Sequence, residues 1–132
     1  MSEENVEIAR QMSEAFNRGD VDAYLKFCAP DFEVRDLPQL AGSSVAVGHK
    51  AVRAWWDQLS ETLEGFRVEN EELIDAGDHV VGVNHATARG GGSGADVEMH
   101  FASVLTLEDG KAVRLASYSA RSAALEAAGL RE

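Results

Sequence analysis

Few side chains in this sequence are placed to do chemistry, and Asp36 comes first. It closes the alternating run Phe32-Glu33-Val34-Arg35-Asp36 and stands two positions before Pro38. A carboxylate there has two readings. It can bond the backbone amides of its own turn. In an apolar pocket it can instead act as a general base, because burial among Leu37, Trp55 and Phe16 disfavours its charged form. Arg35 is adjacent, but strand alternation sends it to the opposite face. Spacing alone favours the turn reading.

The four histidines are His49, His79, His85 and His100. None makes an HxH or HExxH spacing, so no metal site is expected. A hairpin closed about residues 92 and 93 would pair positions summing to 185. His85 then faces His100, and Asn84 faces Phe101. The two histidines share one face of the sheet, and Asn84, Phe101 and Ser103 share the other. A bulge near the glycines would break this register. A solvated or otherwise satisfied histidine pair is the starting reading, and a metal-binding or proton-sensing pair is the alternative. Cys28 is the single cysteine, which excludes an internal disulfide, and its place on an apolar helix face makes it a buried, inert thiol. The run GGGSGA at 90–95 lies between two strand patterns. Phosphate-cradling loops lead from a strand into a helix N-terminus, so this one is a hairpin tip.

The elements that must position these groups follow from periodicity. A first helix spans Glu3 to Arg18, with Ser2 as N-cap and a buried stripe of Ile8, Met12, Ala15 and Phe16. Gly19 ends it and Asp20 caps a second helix, whose apolar face is Val21, Tyr24, Leu25 and Cys28. Pro30 stops that helix, and Phe32 to Leu37 reads as a strand. Residues 38–48 read as a loop. A third helix, His49 to Leu63, carries Val52, Trp55, Trp56, Leu59 and Leu63 and closes at Gly65; core packing accounts for both tryptophans without a ligand. The period then changes to that of strands: 66–75, 79–89, 96–107 and 111–118, with Asp109-Gly110 as a hairpin turn. Ser119 or Ser122 caps a short last helix closed by Gly129. Helices first and a meander after them predict an α+β fold with a curved antiparallel sheet whose concave face the helices cover.

With 132 residues, 45% of them hydrophobic, one domain with a true core is expected. Twelve basic against 23 acidic residues give a net charge of −11, which repels phosphate backbones and anionic lipid. Nucleic acid and membrane are therefore not expected partners. The acidic N-terminus lacks the features of a signal peptide and no run is apolar enough to span a bilayer, so a cytoplasmic protein is expected.

The strings FNRGDVDAY and APDFEVRD, with DVEMHFASVLTLEDGKAV and the ending AALEAAGL, resemble the SnoaL-like polyketide cyclases and ketosteroid isomerases of the nuclear transport factor two-like superfamily. The resemblance spans nearly the whole chain as a pattern of elements. It implies a cone, with a curved antiparallel sheet wrapping a pocket closed by N-terminal helices, and a dimer formed through the outer sheet face. It also implies that Asp36, sixteen residues after Asp20, is a base aspartate and that Trp55 is a pocket aromatic. The sequence departs from the isomerases at two oxyanion donors: Met12 stands where they have a helix-one tyrosine, and Ser103 where they have a protonated aspartate. The strand acid and arginine of the related epoxide hydrolases are not evident at 79–89.

The site expected is thus Asp36 as base and Ser103 as donor, in a pocket of several hundred cubic ångströms. Met12, Phe16, Tyr24, Trp55, Asn84, Phe101 and Tyr118 would contact a small apolar or polycyclic ligand. The chemistry would be proton abstraction beside a carbonyl, as in isomerisation or aldol-type cyclisation, with no cofactor required. The alternative is a non-catalytic ligand-binding or structural dimer of the same fold. The expected dimer surface is the strip Ala102, Val104 and Thr106, a sheet face too apolar to be left in water.

Overall fold

The computed structural model describes residues 2–36, 45–90 and 96–130. Helix α1 (Ser2–Arg18) begins at Ser2, which is thus its first residue and not its cap. Glu3 and Glu4 lie in its first turn and Arg18 in its last, as the helix dipole favours. Its innermost stripe is Asn5, Ala9, Met12 and Ala15, all buried; Ile8 and Phe16 flank it, half-buried. Side-chain amides clip α1 along the sheet at both ends. Asn5 Nδ2 donates to the Gly77 carbonyl at 3.0 Å. Asn17 both donates to the carbonyl and accepts from the amide of Val68, each at 2.9 Å.

Gly19, at φ +73, turns the chain into α2 (Val21–Lys26), where Asp20 Oδ1 caps the Ala23 amide at 3.0 Å. Strand β1 (Cys28–Arg35) then starts four residues earlier than its sequence pattern predicts, so Pro30 lies inside a strand and does not stop the helix. The position tolerates proline because pairing with the neighbouring strand is interrupted between Cys28 and Glu33, and no ladder bond is lost. Strand β2 (Val45–Val47) occupies part of the stretch expected as loop. Three residues are too few to show a period. Of the rest of that expected loop, Gly48 is the N-cap of the next helix and 38–44 lie outside the described residues.

Helix α3 (His49–Thr62) buries Val52, Trp55, Trp56 and Leu59. His49 Nε2 lies 3.0 Å from the Ala29 carbonyl, which ties the start of α3 to β1. Leu63 belongs to the next strand, and Gly65 (φ +61) sits within that strand where the register shifts, so it does not terminate the helix. The meander is β3 (Leu63–Ala76), β4 (His79–Gly90), β5 (Asp96–Glu108) and β6 (Lys111–Tyr118). One six-stranded, curved, unclosed sheet results, in the order β2-β1-β6-β5-β4-β3. Every pairing is antiparallel except β1 with β6, which is parallel. Register shifts at 64–67, 70–72 and 106–107 add the local bend and twist that bulges bring.

Helix α4 (Arg121–Ala127) packs on the opposite side of the sheet. Its N-cap is Ala120, with no side-chain capping bond, so neither Ser119 nor Ser122 caps it. Its C-terminus closes through Gly129 (φ +82): the Leu130 amide bonds the Leu125 carbonyl at 2.8 Å and the Gly129 amide bonds that of Glu126 at 3.0 Å. The sheet therefore separates two apolar clusters. The larger lies between its concave face and α1–α3; the smaller is Val81, Ala102 and Val104 under Ala124, Leu125 and Ala128. This corrects the premise of the expected dimer. Ala102 and Val104 are covered by the chain's own last helix, so they do not present an apolar face in need of a partner.

Candidate functional site

The site lies between α1–α3 and the concave face. Asp36 follows β1 directly and is half-buried. Its Oδ2 accepts from Trp55 Nε1 at 2.8 Å. The indole reaches it because Trp55 sits on the inward face of α3, one turn after Val52. The bond favours the ionised carboxylate and so works against the desolvation expected around Asp36. Trp55 is thus a pocket residue as well as a core one, whereas Trp56 is core alone.

Aromatic rings interlock behind the helix side of the pocket. The Phe16 ring meets Trp56 edge-on at 4.9 Å and Phe66 at 5.6 Å between centroids, and Tyr24 meets Trp56 at 5.1 Å. Burial pushes the Tyr24 phenol well above its ordinary range, with the charges of Cys28 and Asp36 adding to the effect, so Tyr24 stays neutral. Cys28 is buried, its thiol donates to the Tyr24 carbonyl at 3.4 Å, and burial pushes its pKa up to about 12, against a smaller lowering by Lys111. It is the inert thiol expected.

The far wall is polar. Asn70 Nδ2 donates to Asn84 Oδ1 at 2.7 Å, and Asn84 Nδ2 donates to Ser103 Oγ at 3.0 Å. Three strands thus contribute one chain of hydrogen bonds. It fixes the Asn84 amide and leaves the Ser103 hydroxyl hydrogen to donate elsewhere. Gly82, between them on the same face, makes this possible. A Cβ there would lie 2.9 Å from Ser103 Oγ and 3.0 Å from Asn84 Oδ1.

Of the residues expected, Asp36, Ser103, Met12, Phe16, Tyr24, Trp55, Asn84 and Phe101 line this one pocket. Tyr118 does not. It pairs with Ala102 and packs into the outer cluster, so Ser117, opposite Ser103, faces the pocket in its place. Asn70, Ser117 and Gly82 were not anticipated. A second departure is size: the cavity holds about 110 Å³, well short of several hundred, because Phe16, Trp55, Phe66 and Phe101 crowd into it. On the scale where 150 Å³ admits benzene, that is room for about four or five heavy atoms.

The paired positions of β4 and β5 run without a shift from His79↔Thr106 to Arg89↔Asp96, all summing to 185, so His85 faces His100 as expected; the pair lies on the convex side, with Ala102 and Val104. The tip at 91–95 lies outside the described residues. No described helix is long and apolar enough to cross a membrane.

The SnoaL-like domain family matches residues 9–115, and the chain belongs to that family. Solved structures share the fold. A nuclear transport factor two-like protein of unknown function from Burkholderia pseudomallei K96243 superposes with a TM-score of 0.82 at 22% identity, covering 96% of this chain and 97% of that one. A putative SnoaL-like polyketide cyclase from Jannaschia sp. CCS1 gives 0.78 at 20% identity, over 89% and 86%. A protein with a ketosteroid isomerase-like fold from Catenulispora acidiphila, in complex with trimethylamine, gives 0.77 at 20%, over 94% and 93%. No curated protein matches the chain.

Proposed function

We propose that this chain binds a small carbonyl compound in the concave pocket and moves a proton at the carbon beside its carbonyl. The observation that carries the reading is a carboxylate, Asp36, oriented by an indole N–H on the wall of a pocket whose sheet side carries a hydrogen-bonded polar chain ending at the Ser103 hydroxyl. Asp36 takes the α-proton. The C–H electrons pass into the C–C bond and onto the carbonyl oxygen, forming an enolate. Ser103 donates to that oxygen, and Asn84 holds Ser103 in place. If the protonated Asp36 swaps its proton with solvent before giving one back to the same carbon, the α-position exchanges; delivery to a conjugated carbon isomerises the compound. The cavity volume supports a substrate of about four or five heavy atoms, of butanone size.

A second reading is binding without turnover. Asp36 beside the rings of Phe16, Tyr24 and Trp55 also suits a small alkylammonium ion, attracted by the carboxylate and by aromatic faces. The trimethylamine complex of the Catenulispora protein is of that size class. Ligand-observed NMR titrations with butanone and with trimethylammonium separate the two. The first reading expects butanone to bind and Ser103→Ala to weaken it about two- to tenfold, the worth of one neutral hydrogen bond, with the ammonium ion unaffected. Binding of the ammonium ion alone, lost in Asp36→Asn, would establish the second.

A further inference from the structure

On the convex face of the sheet, away from the pocket, three metal-ligating side chains converge. Glu98 and His100 are two apart on β5 and so share a face; His85 comes across from β4, directly opposite His100. The two imidazoles stack at 4.6 Å between centroids with 14° between their planes. One donor atom from each of His85, Glu98 and His100 lies within 4.8 Å of the others.

We propose that these three residues bind one divalent transition-metal ion of the zinc class. Two imidazoles and a carboxylate suit zinc, whereas calcium and magnesium favour all-oxygen sites. A tetrahedral zinc ion holds its ligands about 2.0–2.2 Å away, hence about 3.3–3.5 Å from one another. Closing from 4.8 Å requires the His100 ring to turn out of its stack on His85, because an imidazole lone pair lies in the plane of its ring; Glu98 and His100, with side chains 66% and 65% exposed, have room to move.

A buried nitrogen points the same way. Glu98 Oε2 lies 3.0 Å from His85 Nε2, but the contact does not have hydrogen-bond geometry, and that buried Nε2 has no hydrogen-bond partner among the described residues. A buried polar atom without a partner calls for an explanation, and a bound ion supplies one. Charge favours the ion as well. Glu69 faces His85 in the register, Glu71 Oε1 lies 3.7 Å from His100 Nδ1, and the chain carries a net charge of −11. The sequence shows no HxH or HExxH pattern because the ligands come from two strands and meet only through the hairpin register. Bound there, the ion would staple β4 to β5 and leave a position for water.

The test is calorimetric titration of zinc chloride into the full chain, tag-free and stripped with chelator. One ion per chain at micromolar affinity or tighter is expected, with no saturable heat from calcium. Zinc should raise the melting temperature and shift the His85 and His100 ring resonances. His100→Ala and Glu98→Gln should each weaken binding at least about tenfold, and circular dichroism verifies their fold. Absence of saturable zinc binding overturns the site. So does wild-type affinity in the double variant His85→Asn, His100→Ala.

Discussion

Trp55 Nε1 donates a 2.8 Å hydrogen bond to Asp36 Oδ2, joining the third helix to the residue that follows the first strand. Trp55→Phe keeps most of the ring and removes the donor. Because Asp36 is half-buried, the loss falls near the low end for a bond to a charged group, about 1–2 kcal/mol of unfolding free energy, read by urea denaturation. Unchanged stability together with unchanged ligand affinity would mean that the indole does not orient the carboxylate.

Gly82 is the one described position where backbone must stay bare for the polar wall to form. In Gly82→Ala the new Cβ meets Ser103 Oγ and Asn84 Oδ1 at or below 3.0 Å. Either the Asn84–Ser103 bond breaks or the strands shift. A destabilisation of about 1–3 kcal/mol is expected, with ketone affinity reduced as in Ser103→Ala. A variant as stable as the wild type, with its affinity intact, would show that the wall is softer than described.

What the sequence made legible divides along physical lines. Long periodic segments were readable: α1, the face of α3 and the meander. A single register sum placed Asn84, Phe101 and Ser103 together and His85 against His100, since no bulge intervenes in that hairpin. The errors fall where local signals are weakest. Pro30 reads as a stop, yet it sits in a strand segment that makes no ladder bond. Tyr118 was placed in the pocket as a donor on residue type alone, whereas its pairing with Ala102 puts it on the convex face. Asn70 escaped notice because a register shift between Asn70 and Glu72 breaks the alternation of β3. Its only sequence signal was an amide in a half-buried strand opposite another amide, Asn84. Pocket volume depends on how four aromatic rings interlock, which no periodicity encodes.

Cys28 carries a pH prediction. Burial raises its thiol from an ordinary 9.0 to about 12, so the folded chain holds a proton that the unfolded chain releases. Stability is then fully present below about pH 9 and declines as pH rises from there toward 12, because the unfolded state binds fewer protons over that window. Chemical denaturation across this range should show the decline, and Cys28→Ala should flatten it, leaving the part due to Tyr24 above its own ordinary 10.0. Native Cys28 should also resist thiol reagents at pH 8. Rapid labelling in the absence of denaturant would contradict its burial.

The central claim is that Asp36 takes a proton from carbon. The direct measurement is deuterium uptake at the α-carbons of butanone in D₂O, followed by proton NMR, with wild type and Asp36→Asn at equal ligand saturation. The account predicts exchange above the buffer rate in the wild type and a loss of at least about 100-fold in the variant, the lower range for a positioned general base. Equal rates in the two proteins, with butanone bound to both, would contradict it and leave the pocket as a binding site alone.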